Sequence, residues 1–377
     1  MDIREAVAQL SDLTRAISTA GITAGTYGAW GRQHETDLAQ AMDYHREVTM
    51  QPIYTLVRPF FHPTLPLIGW NYTPVAHNTL FNISGGWTMP LRLARGIIFD
   101  RNGVLVALPF MKFFNYGEHA ETRTLPHEPF EATMKHDGHL GEIFRYNGTL
   151  LVTSRGDFCS RTSMLAQRML RVVAKKNRWA TQFPDDTTIL VEIIHPDTKV
   201  HVNYGDDERF MLIGATHLSS LRDEPHTALV TLGNQLGLTV TERWAGSNIQ
   251  DLVALMRSRD VRNQEGYVVR FASGMRMKLK FDTYIALMVE GKLNLSYLMK
   301  RFVAGNLQRM LLTLDEEAYR AALQMLGQIM FAVSVGSTQT AKWRELYQLL
   351  PDGSATDYHR AGCREFVRHL FPHLPRA

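Results

Sequence analysis

The sequence predicts an α+β fold in which a helical N-terminal segment precedes a core of antiparallel strands, and an all-helical domain follows it. Apolar residues recur at helical spacing near the N-terminus, strand pairs separated by Asn-Gly turns occupy the middle, and the strand signal ends after Asp282. We therefore predict three parts: a helical segment over 1–50, a strand-rich domain over 51–285 and a helical C-terminal domain over 286–377.

The composition indicates a globular chain, since 45% of the 377 residues are hydrophobic and 21% are charged, which excludes a disordered or collagen-like protein. The net charge of +4 and the pI near 9.0 permit an anionic partner without requiring one. Cys159 and Cys363 show neither metal spacing nor a disulfide framework, which favours a reducing compartment. With no signal-peptide core and no stretch of ~18–20 apolar residues, we expect a soluble, cytoplasmic protein.

Helical periodicity predicts two helices in the N-terminal segment, and a second one is expected over 34–48. The first would end at Gly21 and is defined by Ile3, Ala6, Val7, Leu10, Leu13 and Ile17. Pro, Asn, Thr and aromatic residues over 51–90 indicate short strands and loops.

Strand pairs joined by Asn-Gly are expected over 95–110 and over 141–154, where Asn147-Gly148 forms the turn. The remaining pattern predicts strands over 188–204, 209–215, 266–272 and 275–281. Helices are expected over 160–180, 223–237, 248–258, 292–313 and 315–333.

Several familiar catalytic motifs are absent from the sequence, including the Walker phosphate loop, the G-x-S-x-G elbow and the H-E-x-x-H zinc motif. His136 and His139 bracket Asp137 but lack a recognised third metal ligand. Lys135 begins the tetrad Lys-His-Asp-Gly, which is either a surface lysine beside a turn or a nucleophile. A nucleophilic amine would need neighbouring cations and partial burial to lower its pKa.

Alternating residues over 275–281 place three cations on one face of a predicted strand, namely Arg276, Lys278 and Lys280. This face is either a solvated strand edge or the wall of a phosphate-binding cleft. Glu265 opens the preceding strand, and Glu192 interrupts an apolar run, where it lies on an exposed strand face or faces a site. Carboxylates opposite a lysine cluster would suit a divalent metal ion or ribose hydroxyls.

Taken in order, these segments resemble the covalent nucleotidyltransferases, the superfamily of ATP-dependent ligases and capping enzymes. The motifs are K-x-D-G at Lys135, R-G at Arg155, an apolar strand with Glu192, E-G-Y-V at Glu265 and K-x-K at Lys278. The upstream segments R-G-I-I-F-D and M-K-F-F-N-Y-G-E narrow the likeness, over about residues 91–285, to the T-even phage RNA ligase 1 family. That family implies an antiparallel-sheet nucleotidyltransferase core, an ATP-grasp-like ligase adenylylation domain.

The resemblance implies roles for the matching positions, with ATP and Mg²⁺ (or Mn²⁺) as cofactors. Lys135 would accept AMP, Asp137 and Gly138 would shape its loop, and Lys278 and Lys280 would contact the α-phosphate and pyrophosphate. Glu265 would hold the metal ion, and Glu192 would bind the ribose or support the metal. The remaining nucleotide contacts would come from Arg95, Lys112, Arg155 and Tyr284.

The family resemblance implies an RNA partner with 5′-phosphate and 3′-hydroxyl ends, with tRNA as one candidate, and a role in RNA repair. Cations on the 160–180 helix would contact RNA phosphates or form a solvated face: Arg168, Arg171, Lys175, Lys176 and Arg178. Arg155 departs from the lysine of close relatives, and the tail does not match the phage tRNA-recognising domain. A DNA ligase or guanylyl-transferring capping enzyme, and a non-catalytic nucleic-acid-binding protein, are the alternatives; the helical tail disfavours the first two.

Overall fold

The computed structural model describes residues 1–45, 51–80, 86–289, 293, 297–298, 301, 307–312, 314 and 318–326. The chain separates into two compact units, Met1–Tyr284 and Ile285–Ala377. Most of the described elements, and all of the candidate site residues, belong to the first unit.

Three helices form the N-terminal segment: α1 (Ile3–Thr19), α2 (Tyr27–Gln33) and α3 (Glu35–Ala41). The Asp2 side chain caps α1 by accepting from the Glu5 amide. The helix expected over 34–48 is too long, because α3 ends at Ala41 and Asp43 adopts a φ of 51° that a helix cannot continue. Residues 46–48 of that prediction lie outside the described residues.

The first sheet is antiparallel, in the order β1–β2–β3–β4. Its strands are β1 (Val57–Phe61), β2 (Leu67–Tyr72), β3 (Arg95–Asp100) and β4 (Leu105–Ala107), with short helices α4 (Ile53–Leu56), α5 (Pro74–Leu80) and α6 (Met89–Leu93) around them. The Trp70 indole donates to the Thr14 hydroxyl at 2.8 Å, which joins β2 to the buried face of α1. The N-terminal helices therefore share one core with this sheet.

The second sheet has the order β11–β10–β9–β7–β8. Its strands are β7 (His139–Tyr146), β8 (Thr149–Ser154), β9 (Thr187–Ile194), β10 (Arg209–His217) and β11 (Thr239–Val240). Asn147 and Gly148 both have positive φ, which confirms the tight turn between β7 and β8. The strand expected over 188–204 is too long, because Pro196 begins a 3₁₀ turn directly after β9.

Three helices flank this sheet: α8 (Arg161–Lys176), α9 (Trp179–Gln182) and α10 (His226–Leu236). Residues 160–180 do not form one helix as predicted, because Arg178 has a φ of 55° that separates α8 from α9.

The third sheet has the order β5–β13–β12–β6. Its strands are β5 (Phe114–Asn115), β6 (Phe130–Lys135), β12 (Gly266–Phe271) and β13 (Arg276–Lys280), and α7 (Ala120–Arg123) and α11 (Ile249–Leu255) precede its later strands. Two short pairings are parallel, β5 with β13 and β10 with β11, so the sheets are not purely antiparallel as predicted. Long connections allow these pairings, since parallel neighbours cannot be joined by a hairpin.

Helix α12 (Asp282–Val289) follows β13. In the second unit, α13 (Leu307–Leu311) and a helix over 318–326 are described. Leu293, Leu298 and Ala322 are among the buried residues of that unit. The helices expected over 292–313 and 315–333 lie partly outside the described residues. No described helix combines the length and apolarity needed to cross a membrane.

Candidate active site

Lys135 lies at the end of β6, beside the start of β12 and the end of β13. Gly266 pairs with Lys135 on one side and with Lys280 on the other. The carboxylate of Glu265 receives both ammonium groups, with Lys135 Nζ 2.6 Å from Oε2 and Lys280 Nζ 3.1 Å from Oε1. Glu265 is 4% exposed, so its carboxylate is shielded from water, whereas the Lys135 side chain is 21% exposed.

The loop that follows the candidate nucleophile is fixed by the buried side chain of Asp137. One carboxylate oxygen accepts the backbone N–H groups of His201 and Val202, at 2.7 and 2.6 Å. The other oxygen accepts the Tyr284 hydroxyl at 2.6 Å, and the Asp137 amide donates to the Tyr204 hydroxyl. Tyr284 thus lies beside the loop, where it holds a carboxylate.

Gly138 brings the same loop against β9. Its N–H donates to Oε1 of Glu192 at 3.0 Å, and a Cβ at this position would lie 2.5 Å from the carbonyl oxygen of Ile193. Only glycine permits this close approach.

Glu192 is buried like every residue of β9, so its placement on an exposed strand face is wrong. Burial raises the pKa of Glu192 to about 7, and the nearby Glu265 carboxylate adds to this increase, whereas Lys135 opposes it.

A second group of cations surrounds Tyr72, at the end of β2. The Arg155 guanidinium donates to its hydroxyl at 2.9 Å. Burial raises the pKa of Tyr72, but the charges of Arg155, Lys112, Arg95 and Lys278 outweigh burial and lower it to about 7. Tyr72 was not predicted as a site residue, because the pattern of an aromatic residue in an apolar strand predicts a side chain in the hydrophobic core.

Lys112 is 1% exposed and lies among aromatic rings. Its Nζ is 5.3 Å from the ring centroid of Tyr72, 4.9 Å from that of Trp87 and 5.0 Å from that of Phe114. These cation–π contacts compensate part of the cost of burying the ammonium group.

Strand β13 links the cluster of Lys135, Glu265 and Lys280, which is the first cation group, to the cations around Tyr72, which are the second. Lys280 belongs to the first group and Lys278 to the second, and residues two apart share one face of a strand. The Phe113 ring lies between the second group's members, 5.5 Å from Lys278 Nζ and 5.8 Å from the Arg95 guanidinium. The Arg95 guanidinium also donates to the Phe110 carbonyl at 3.3 Å, and burial lowers its pKa.

The structure does not bring every candidate into this site. The helical cations are exposed on α8 and just after it: Arg168, Arg171, Lys175, Lys176 and Arg178. His136 contacts Glu242 at 3.2 Å, and His139 contacts the Thr198 carbonyl at 3.0 Å, so the two histidines have different partners. The exposed face of α8 is compatible both with contacts to RNA phosphates and with a solvated helix face, the two roles predicted for it.

The chemistry of this site suits a polyanion. Two groups of cations lie close together, and β13 contributes one lysine to each. The carboxylates of Glu265 and Glu192 are near enough to repel each other when both are ionised. A divalent cation would relieve that repulsion, so the two carboxylates fit a metal ion. Among the described residues, no group of three or more metal-ligating side chains could hold one. Protein carboxylates completed by substrate phosphates and water are the usual Mg²⁺ arrangement.

Comparison with known proteins identifies the family. The RNA ligase family of the T4 type matches residues 93–285, just over half of the chain. None of the curated proteins matches. Among solved structures, a variant of Naegleria gruberi RNA ligase with AMP and Mn is 13% identical, with a TM-score of 0.35, over 42% of this chain and 51% of that chain.

A second Naegleria gruberi variant, with ATP and Mn, is 17% identical with a TM-score of 0.33, over 42% of this chain and 50% of that one. The same enzyme with pyrophosphate is 14% identical with a TM-score of 0.35, over 42% of this chain and 51% of that chain. The chain thus spans about half the length of these structures. The family match covers residues 93–285, which include all the cations of both groups and Glu265 but not Tyr72. We conclude from this match that the chain belongs to the RNA ligase family.

Proposed function

We propose that this protein is an ATP-dependent RNA ligase that joins 5′-phosphate and 3′-hydroxyl RNA ends through a lysyl-AMP intermediate. The observation that carries the proposal is the carboxylate of Glu265, which holds Lys135 at 2.6 Å and Lys280 at 3.1 Å in a member of the RNA ligase family. A lysine beside a second cation and a shielded carboxylate is a candidate nucleophile for a phosphate ester.

In the first step, Lys135, whose side chain is 21% exposed, loses a proton from Nζ to solvent, gives up its hydrogen bond to Glu265 and then attacks the α-phosphorus of ATP. The nitrogen–phosphorus bond forms, the bond to the β-phosphate oxygen breaks, and pyrophosphate leaves with the electron pair. Negative charge grows on the phosphate oxygens, and Lys278, Lys280 and Arg95 would stabilise it.

Glu265 and Glu192 would hold the divalent ion, Mg²⁺ or Mn²⁺, which when bound supplies further neutralisation of the phosphate oxygens. Asp137 and Gly138 would keep the nucleophile's loop in place through the hydrogen bonds described above. Lys112, Arg155 and Tyr284 would complete the nucleotide site.

In the second step, a 5′-phosphate oxygen of RNA attacks the same phosphorus, the nitrogen–phosphorus bond breaks, and Lys135 takes up a proton from solvent. In the third step, a 3′-hydroxyl attacks the activated 5′-phosphate and loses its proton to solvent, while the bond between that phosphate and AMP breaks and AMP leaves. The same proposal includes a role in the repair of tRNA or other RNA and contacts between the α8 cations and RNA phosphates. It also includes a division of the chain into three parts at about residues 50 and 285.

The test compares two RNA substrates. Lys135→Ala should fail to join a 5′-phosphorylated RNA in the presence of ATP, yet join an RNA that already carries 5′-linked AMP, because the third step does not need the lysine nucleophile. Lys199→Ala, an exposed lysine near the same loop, serves as the matched control and should join both substrates. Joining of the 5′-phosphorylated RNA by Lys135→Ala would reject the proposed nucleophile.

A further inference from the structure

The direction of the second step shows where RNA must enter, and this inference rests on the proposed function. Lys135 attacks phosphorus from one side and pyrophosphate leaves from the opposite side in an in-line displacement. When Lys135 becomes the leaving group, the RNA 5′-phosphate must approach from the side opposite to it. RNA therefore enters along the path that pyrophosphate vacates.

Strand β13 extends from Lys280, which shares Glu265 with Lys135, away from the proposed nucleophile. Lys280, Lys278 and Arg276 alternate along one face, and Arg270 of β12 pairs directly with Arg276. Lys280 lies four positions after Arg276 along the strand, which is about 13 Å at ~3.3 Å per residue. The face that carries the phosphate-binding lysines thus ends at a pair of arginines.

A cavity of about 620 Å³ opens at these arginines, within the range of roughly 300–1,000 Å³ that is typical of ligand sites. Its charged lining consists of Arg92, Arg222, Arg270 and Arg276 with Glu121 and Asp223. Four arginines against two carboxylates give this lining, which we call the arginine cavity, an excess of positive charge. Phe110 and Phe113 also line it.

Carboxylates hold three of the arginine side chains in place. Asp223 accepts from Arg270 at 2.7 Å and also from Arg276, and Glu121 receives both terminal nitrogens of Arg92, at 3.0 and 3.2 Å. Two guanidinium groups share Asp223, and the Glu131 carboxylate beside Arg270 also acts on Arg276, so the excess positive charge of the lining comes mainly from Arg222. Such preorganised guanidinium groups suit phosphate oxygens.

Aromatic rings complete the surface. The Arg276 guanidinium lies 4.1 Å from the ring centroid of Phe110, and Phe113 lies beside Lys278. Aromatic rings next to cations are typical of surfaces that bind single-stranded nucleic acid, where bases stack and phosphates pair with arginine. A site for pyrophosphate alone would not need these rings.

We propose that the arginine cavity binds the 5′-terminal nucleotides of the RNA strand whose phosphate receives AMP. Arg222, which is exposed at its rim, contacts an RNA phosphate, and the partly exposed Phe110 stacks with a base. The cavity thereby selects the donor strand of the joining reaction.

The experiment measures each step separately on the full-length protein. Arg222→Glu is compared with Arg101→Glu, an exposed arginine on the β3–β4 turn outside the cavity. Lysyl-AMP formation is followed against ATP concentration, and transfer of AMP to a 5′-phosphorylated single-stranded RNA is followed in single turnovers against RNA concentration. For Arg222→Glu, the RNA concentration at half-maximal rate should rise about tenfold. The slope of log affinity against log salt should become less steep by about 0.7.

A 4-thiouridine in the first position of the RNA locates the strand independently of any variant. Crosslinks should map to the peptide that contains Phe110 and Phe113. Crosslinks confined to other peptides would overturn the inference. So would an unchanged RNA concentration at half-maximal rate in Arg222→Glu, or an ATP concentration at half-maximal rate that rises as much as that for RNA. Failure of wild-type protein to form lysyl-AMP would instead reject the proposed function.

Discussion

Replacing Tyr72 with Phe should make the stability of the protein less dependent on pH. In the folded protein, Arg155, Lys112, Arg95 and Lys278 outweigh burial and lower the pKa of Tyr72 from its ordinary value of 10.0 to about 7. A group whose pKa is lowered on folding stabilises the protein most above its unfolded pKa. That stabilisation is lost as the pH falls through the folded value.

The magnitude follows from the two pKa values. Ionisation of Tyr72 contributes less than about 1 kcal/mol to the free energy of unfolding at pH 7 and about 3 kcal/mol at pH 9. The difference between wild type and Tyr72→Phe should therefore grow by about 2 kcal/mol between these conditions. Loss of the acceptor for Arg155 adds a cost that does not depend on pH.

Denaturant unfolding of the full-length protein at pH 7, 8 and 9 measures this difference. Tyr267→Phe is the matched control, because burial raises the pKa of Tyr267 and it stays protonated over this range. Tyrosinate absorbance near neutral pH should be present in wild type and missing from Tyr72→Phe. Parallel pH profiles for the two variants would refute the assignment of four effective cations around Tyr72.

Three further predictions concern the same site. Glu265→Gln should slow lysyl-AMP formation by about 100-fold or more in single turnovers, because the site loses a proposed metal ligand and the carboxylate that positions Lys135 and Lys280. Gly138→Ala should lower the free energy of unfolding by about 1–3 kcal/mol, because the new Cβ meets the Ile193 carbonyl; a melting temperature equal to wild type would contradict this. Lys112→Met should move the tyrosinate absorbance of Tyr72 to higher pH in a spectrophotometric titration, by removing one of its cations.

Local patterns predicted the parts of the site that lie on single strands. The alternation over 275–281 placed Arg276, Lys278 and Lys280 on one face, and β13 shows Met277 and Leu279 buried between them. A two-residue period can be recognised without knowledge of neighbouring strands.

Tyr72 could not be identified in this way, because its environment is assembled from distant parts of the chain. Arg155, which donates to its hydroxyl, follows 83 residues later. Glu192 was ambiguous for the same reason. Its burial depends on the Gly138 amide, 54 residues earlier, which satisfies one carboxylate oxygen.

The arginine cavity was not predicted either. Asp223 lies 47 residues before Arg270 and was assigned to a helix start, so nothing in the local sequence paired it with the strand arginines. The early end of α3 also depends on a backbone conformation, the positive φ of Asp43, that a helical pattern does not reveal.

Intact-mass measurement of the protein after incubation with ATP and Mg²⁺ tests the central claim most directly. Wild type should gain the mass of one AMP, localised by peptide mapping to Lys135, and should lose it when pyrophosphate is added. Lys135→Ala should gain nothing, and Lys199→Ala should behave as wild type. No adduct on wild type with ATP, or an adduct that persists in Lys135→Ala, would contradict the claim that this lysine is the nucleophile.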